Sequence, residues 1–162
     1  MISKEDMLYY IDDALDGMIA IVEELGDDLA NRRLDVGGAN SPYAVLTHCL
    51  GVIDYWCSYL IAGREIERDR AAEFRSAGSV SELVTRVRSS RLRLESDLLE
   101  LEPSAPPRGT ARPGDARLPI GATQGGALVH IYEELAQHRG QMEVTRDVLL
   151  APWGASKPVS AP

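Results

Sequence analysis

Apolar residues recur at helical spacing over four long stretches of this chain, and this periodicity limits the fold more than any other feature. No stretch of useful length alternates apolar and polar residues as a half-buried strand would. No glycine motif of the phosphate-cradling kind occurs either. We therefore expect an all-α protein.

Capping residues set the predicted bounds of the four helices. Ser3 with Asp6, and Ser79 with Glu82, have the spacing of a capping box at a helix start. Ser41 can cap the second helix because a proline, which favours the first helical position, follows it. The predicted spans run from Ser3 to about Leu29, from Ser41 to Gly63, from Ser79 to near Leu101 and from about Gln124 to Leu150.

Two long connections join these helices. Residues 63–78 are charged and have a glycine near each end, so we expect short helical turns that cross the end of a bundle. Residues 103–122 are rich in proline and glycine, cannot sustain a helix, and could wrap over a site or stay mobile. The pattern predicts a four-helix bundle with a long crossover, a Pro/Gly-rich loop before the last helix, and any site between facing helices.

The length and charge of the chain limit its organisation and its partners. At 162 residues it can build a core of its own, so we expect one domain over residues 1–162, with an irregular tail from about residue 152. A net charge of -8 and a pI near 4.9 argue against a nucleic-acid or membrane partner. No apolar run approaches the roughly 20 residues of a membrane-spanning helix, and the start lacks signal-peptide features. The expected location is cytoplasmic.

The two cysteines are expected to be buried thiols. Cys49 and Cys57 lie eight residues apart on one predicted helix, which separates their Cα atoms by about 12 Å, beyond disulfide reach. Cys49 follows His48 directly, but neighbours on a helix point about 100° apart, which disfavours a shared metal ion.

One pair of side chains suggests a metal site. Glu134 and His138 are one helical turn apart, differing by about 40° in direction, so they can converge on one cation. A third nitrogen from another helix, with His48 the natural candidate, completes a His-Glu-His set typical of an open zinc site. Zinc is the first choice, and nickel and iron also suit these ligands. The same spacing also occurs in ordinary helix-stabilising pairs.

Two neighbours of this pair are less easily assigned. His130 lies four residues before Glu134, but it points about 80° away from His138, so only adjacent members of this series can chelate together. His130 could support the ligands, act as a base facing the substrate, or be structural. Glu133 points about 100° away from Glu134 and is expected to face solvent or form a salt bridge.

Three sequence blocks stand out, SPYAVLTHCLGVIDYW, RDRAAEF and LVHIYEELAQHRGQMEVTRDVLL. In content and order they resemble the DinB/YfiT-like superfamily of metal-dependent thiol transferases, especially its mycothiol-transferase-like and maleylpyruvate-isomerase-like branch. Its members usually offer one histidine from the second helix and two ligands four residues apart from the last. In the maleylpyruvate-isomerase-like branch the first of that pair is a glutamate. The resemblance thus implies His48, Glu134 and His138 as metal ligands, and mycothiol or a related low-molecular-weight thiol as co-substrate.

A cluster of arginines could contribute to a cofactor site. Arg64, Arg68 and Arg70 lie together in an otherwise acidic protein and could receive the carboxylate of a thiol cofactor. They could equally pair with the acidic residues among positions 65–73, and this interpretation is favoured because so many acids are adjacent.

Aromatic residues and a glycine near the expected site have structural interpretations. Tyr55, Trp56 and Tyr59 follow His48 and could line a pocket, although aromatic residues at helical spacing are more often core. Gly140, within the HRGQ block, would let a neighbouring helix approach closely.

The leading functional hypothesis is a metal-dependent transferase or isomerase that acts on a small molecule with a low-molecular-weight thiol as nucleophile. One alternative is a hydrolase in which the same site activates water. Others are a non-catalytic, stress-associated metal-binding bundle and a helical dimerisation module without a metal. Homodimerisation is compatible with each hypothesis.

Overall fold

A computed structural model describes residues 3–115 and 120–151, so the predicted irregular tail from about residue 152 lies outside the described residues. The described residues form helices and loops without strands, which confirms the all-α prediction. The helices are α1 (Lys4–Ala30), α2 (Pro42–Ile53), α3 (Arg70–Glu73), α4 (Val80–Asp97) and α5 (Gln124–Leu150), and a π-helical segment (Asp54–Ile61) continues α2.

The long helices form a bundle with α2 at its centre. Almost every residue of α2 is buried, whereas α1, α4 and α5 each bury one face. Helices α1 and α5 pack along each other, and α2 contacts all of the others. Fully buried side chains such as Leu15, Leu46, Leu83 and Ile131 join the four long helices in one core. Each contributes about 1.5–3 kcal/mol of hydrophobic stabilisation, so the core holds the helices in register.

Helix α1 starts as predicted but is not regular throughout. Ser3 Oγ accepts a hydrogen bond from the Asp6 amide, and the Asp6 carboxylate accepts one from the Ser3 amide, both at 3.0 Å. This reciprocal pair is the capping box that the sequence predicted. Gly26 has a φ of 62°, which a residue with a side chain rarely adopts, and it kinks the helix near its end.

Helix α4 begins where predicted, after Ser79, but its start is capped differently and it ends earlier than predicted. Ser79 makes no capping bond, and the Val80 amide instead donates to Asp27 Oδ1 of α1 at 2.8 Å. The cap is thus supplied by tertiary packing. The helix ends at Asp97, not near Leu101, because the following chain turns towards the start of α5. There the Glu102 amide donates to the Gln124 side chain at 3.0 Å.

The prediction that no apolar run approaches the length of a membrane-spanning helix is wrong for the stretch Pro42–Ile61. By length and composition alone this 20-residue helical stretch could cross a membrane. However, 83% of its most apolar window is buried inside the bundle, as in the core helix of a globular protein. Gly63, with a φ of 75°, follows the helix as the predicted stop.

The Pro/Gly-rich loop packs against the π-helical segment. The Arg108 amide donates to the Leu60 carbonyl at 2.8 Å, and the Arg112 amide donates to the Tyr55 hydroxyl at 3.1 Å. In its described part, the loop therefore wraps across the end of α2, one of the two predicted behaviours. The prediction for Gly140 is wrong, because a methyl group placed there would meet only open space.

Candidate metal centre

Helix α2 places His48 deep in the bundle. The Ser41 hydroxyl accepts a hydrogen bond from the Ala44 amide at 3.2 Å, and Pro42 occupies the first helical position, which fixes where the helix starts. His48 lies almost two turns later and is 2% exposed. Its ring stacks on Phe74 with centroids 4.3 Å apart, so packing restricts the ring on one face.

A buried ion pair fixes the orientation of the His48 ring. His48 Nδ1 donates to Glu73 Oε2 at 2.7 Å. Arg68 holds the same carboxylate through Nε at 2.7 Å and Nη2 at 3.0 Å. Burial favours the neutral acid, but the hydrogen bonds from Arg68 and His48 outweigh it and lower the pKa of Glu73. The charged carboxylate therefore keeps a proton of His48 on Nδ1, while Nε2 points towards Glu134.

Helix α5 supplies the other two side chains. Glu134 and His138 lie one turn apart, and His138 Nε2 is 3.4 Å from Glu134 Oε2. His138 Nδ1 donates to Gln141 Oε1 at 2.9 Å. Hydrogen bonding with His138 and with His48 lowers the pKa of Glu134 far below its usual value. Hydrogen bonding to Glu134 raises the pKa of His138. Attraction between carboxylate and imidazole thus dominates this part of the site.

The three side chains converge on one point between α2 and α5. One potential ligand atom from each of His48, Glu134 and His138 lies within 4.8 Å of the other two. His48 Nε2 is 3.8 Å and His138 Nε2 is 3.4 Å from the same Glu134 oxygen. Tetrahedral zinc bonds of about 2.0–2.1 Å would separate such donors by about 3.3 Å. The donor set and its spacing therefore fit a divalent transition metal ion.

His130 lies on the other side of the Glu134 carboxylate. Its Nε2 is 3.6 Å from Glu134 Oε1, and its Nδ1 donates to Glu133 Oε2 at 2.9 Å. The ring packs edge-on against Trp56 with centroids 4.5 Å apart. His130 thus faces the carboxylate oxygen that the three-residue cluster does not use. Glu133 is salt-bridged and half exposed, as predicted.

A cavity of about 260 Å³ opens beside the cluster. Its wall includes His48 and Glu134 as well as Tyr55 and Trp56, so these two aromatic residues serve both the core and the pocket. The Glu134 side chain is 29% exposed, which makes the cluster accessible from this cavity. The remaining lining residues are Val52, Arg68, Arg70, Arg112, Asp115 and His130.

The three arginines of the predicted cluster have separate environments. Arg64 pairs with the buried carboxylate of Asp97, away from the cavity. Arg68 pairs with Glu73, as the favoured salt-bridge interpretation predicted. Arg70 forms no ion pair among the described residues, and its guanidinium lies 5.3 Å from the centroid of the Phe74 ring.

The cysteines have the environment that the sequence predicted. Both Cys49 and Cys57 are fully buried free thiols. Burial raises the pKa of each thiol, and the negative charge of Glu134 adds to the effect at Cys49. Neither residue belongs to the cluster around Glu134 that could hold a metal.

Sequence reasoning missed two contributions to the site. Glu73 was considered only as a surface partner of arginines, although it lies in the RDRAAEF block and orients His48. Arg112 and Asp115 come from a loop without any motif, so nothing in the sequence placed them at the cavity. Both contributions depend on long-range packing, which helical spacing does not encode.

Comparisons with known proteins agree with this architecture. A crystal structure described as the conserved protein of locus from Enterococcus faecalis has a similar fold, with a TM-score of 0.67 and 14% identity. The likeness covers 92% of this chain and 98% of that one. No curated protein matches the sequence significantly. The family model of the DinB superfamily matches residues 10–142, and the chain therefore belongs to the DinB superfamily.

Proposed function

We propose that this protein is a metal-dependent transferase or isomerase that acts on a small molecule with a low-molecular-weight thiol, such as mycothiol, as the nucleophile. The observation that carries the proposal is the convergence of His48, Glu134 and His138 beside an accessible cavity. The thiol is suggested by the resemblance of the three sequence blocks to the thiol-dependent branch of the superfamily.

The proposed metal site uses two neutral imidazoles and one carboxylate. His48 and His138 would bind through Nε2, because Glu73 and Gln141 occupy their Nδ1 atoms. Zinc is the first choice, and nickel or iron would suit the same donors. When bound, such an ion supplies Lewis acidity that favours the thiolate form of a nearby thiol.

The residues around the cavity would position the reactants. Tyr55 and Trp56 form an aromatic wall that restricts water, and the exposed side of Glu134 leaves space for an incoming molecule. His130 supports this arrangement by facing the second oxygen of Glu134. An accessible cluster of this kind favours catalysis over metal storage, which would use a closed shell of protein ligands.

The proposed reaction forms a bond between the thiol sulfur and an electrophilic carbon of the acceptor. The thiol proton passes to solvent. In a transfer, the leaving group departs with the electron pair of its bond to that carbon. In an isomerisation, the sulfur is expelled again after the acceptor has rearranged, and the thiol is regenerated by taking up a proton.

Elemental analysis tests the metal site. Protein made without a histidine tag should contain about one equivalent of a divalent transition metal, and His48→Ala and Glu134→Ala should each lose it. Glu133→Ala is the matched control because this neighbouring carboxylate faces His130 and is half exposed. Retention of stoichiometric metal in both His48→Ala and Glu134→Ala would contradict the proposed site.

Activity measurements test the proposed chemistry. If the protein is a transferase, metal-loaded protein should consume thiol in the presence of small electrophiles. If it is an isomerase, it should rearrange the acceptor only when thiol is present, without net thiol consumption. Glu134→Ala should do neither. The same samples should be assayed for cleavage of esters and amides. Cleavage of an ester or amide in the absence of thiol would show that the protein is a hydrolase instead.

A further inference from the structure

Two arginines at the cavity have no ion-pair partner among the residues that the structure describes. Arg70 and Arg112 both line the cavity beside His48 and Glu134. Within residues 3–115 and 120–151, neither guanidinium forms a salt bridge or a side-chain hydrogen bond. The neighbouring Arg68 differs, because Glu73 takes up its donors.

Aromatic rings hold both guanidinium groups in place. The Arg70 guanidinium lies 5.3 Å from the centroid of the Phe74 ring, which also stacks on the His48 ring with centroids 4.3 Å apart. The Arg112 guanidinium lies 4.3 Å from the centroid of Tyr55. Cation–π contacts orient a guanidinium while leaving its N–H donors free for another group. These donors suit a planar oxyanion such as a carboxylate.

The other charges around the cavity leave room for an anion. Asp115 lines the same wall, and its carboxylate interacts with the Tyr55 side chain. The charge of Glu134 would be offset by the metal ion of the proposed function. With that metal bound, Arg70 and Arg112, which have no ion-pair partner among the described residues, would give the cavity wall an excess of positive charge.

We propose that Arg70 and Arg112 form an anion subsite that binds a carboxylate carried by one of the two reactants, next to the cluster of His48, Glu134 and His138. The inference rests on the proposed function for the identity of the reactants. The cavity of about 260 Å³ fits a small acid. An adjoining cavity of about 340 Å³ shares Tyr55, Arg68 and Arg112 with it, so the two together have room for a thiol and an acceptor.

Simple probes test the subsite without requiring turnover. Protein labelled with ¹⁵N, zinc-loaded or zinc-free, is titrated with succinate and with uncharged succinamide, and the NMR shifts are followed. Arg70→Gln and Arg112→Gln should each weaken succinate binding by about tenfold, with zinc content unchanged. Succinamide should show no dependence on either arginine. Arg75→Gln is the matched control, since this exposed arginine is near Arg70 but does not line the cavity.

A second titration identifies the reactant that carries the carboxylate. If the thiol carries it, 3-mercaptopropionate should displace succinate from zinc-loaded protein at a lower concentration than propionate does, because its sulfur and its carboxylate then bind together. If the acceptor carries it, 3-mercaptopropionate and propionate should displace succinate equally well. Either result upholds the subsite and assigns it.

Two results would overturn the subsite. One is equal succinate affinity in the wild-type protein and in both arginine variants, which would mean that the metal or general surface charge binds the anion. The other is an absence of succinate binding to the wild-type protein. Arginine-dependent binding to a protein that takes up no zinc would instead reject the metal-dependent function and leave the subsite in place.

Discussion

The two sides of the candidate metal centre are built differently. On the side of α2 and α3, His48 is 2% exposed and is held by Glu73 and Arg68, whose side chains are 10% and 8% exposed. On the side of α5, the side chains of Glu134 and His138 are 29% and 21% exposed. The first side is fixed by the same packing that folds the protein, whereas the second meets solvent and the cavity.

This difference predicts how each side responds to substitution. Changes that disturb the buried ion pair should reduce the free energy of unfolding as well as metal affinity, because an unpaired buried charge is costly. Changes on α5 should act mainly on metal affinity, because water can replace a lost partner there. The following tests compare the two sides, beginning with the largest expected effect.

Glu73→Gln should have the largest effect. It leaves the charge of Arg68 without its buried partner and removes the carboxylate that orients His48. We expect the free energy of unfolding of the metal-free protein to fall by about 3–5 kcal/mol in urea denaturation. Metal affinity should fall by about 10–100-fold.

Glu133→Gln provides the corresponding control on α5. Its half-exposed carboxylate is the partner of His130, and removing its charge should change the free energy of unfolding by no more than about 0.5 kcal/mol. Similar losses of stability in Glu73→Gln and Glu133→Gln would remove the proposed distinction between the sides.

A pair of glycine substitutions tests the same contrast through packing. A methyl group at Gly51 in α2 would overlap the Glu73 carboxylate and lie 3.1 Å from Arg68 Nε. Gly51→Ala should therefore destabilise the protein by about 1–3 kcal/mol in thermal or urea unfolding. Gly140→Ala in α5 meets open space and should stabilise it by up to about 1 kcal/mol through helix propensity. A stabilising Gly51→Ala would show that the ion pair can shift without cost.

Gln141→Ala should have a smaller effect that is confined to binding. It removes the oxygen that accepts the hydrogen bond from His138 Nδ1. Because His138 is partly exposed, water can take this place, and we expect a loss of metal affinity of about tenfold or less, measured with a competing chelator. A loss of metal affinity larger than that caused by Glu73→Gln would show that metal binding depends more on the partner of His138 than on the partner of His48.

Cys49→Ala should leave metal binding unchanged. The thiol follows His48 in sequence, but it is buried and its raised pKa disfavours the thiolate that a metal would require. Elemental analysis should give the same stoichiometry as for the wild-type protein. Loss of the metal, or rapid reaction of a native thiol with a disulfide reagent, would contradict this assignment.

The convergence of three residues could be predicted because local rules determine most of it. Four-residue spacing places Glu134 and His138 on one helical face whatever the rest of the fold does. Assigning His48 as their partner needed only the pairing of two core helices, which the resemblance to a known family suggested. The all-α architecture followed similarly from apolar periodicity and caps.

The features that could not be predicted depend on contacts between distant segments. Glu73 lies in a charged stretch that would ordinarily be solvated, and it is buried only because α3 packs across α2. The capping signature at Ser79 located the start of α4 correctly, but the oxygen that accepts from the first amide comes from Asp27 of α1. No sequence window contains both partners of either contact.

The π-helical segment divides one continuous helix into a part that carries His48 and a part that carries the aromatic residues. Its wider turns are seen in the bond from the Ala62 amide to the Cys57 carbonyl, and it carries Tyr55 and Trp56, the aromatic wall of the cavity. Deleting one residue here could return the helix to ordinary α geometry and would rotate this aromatic wall away from its present position. His48 lies upstream of the change and would keep its register. The shape of the proposed acceptor site can thus be altered by the length of this segment while the proposed metal ligands His48, Glu134 and His138 remain where they are.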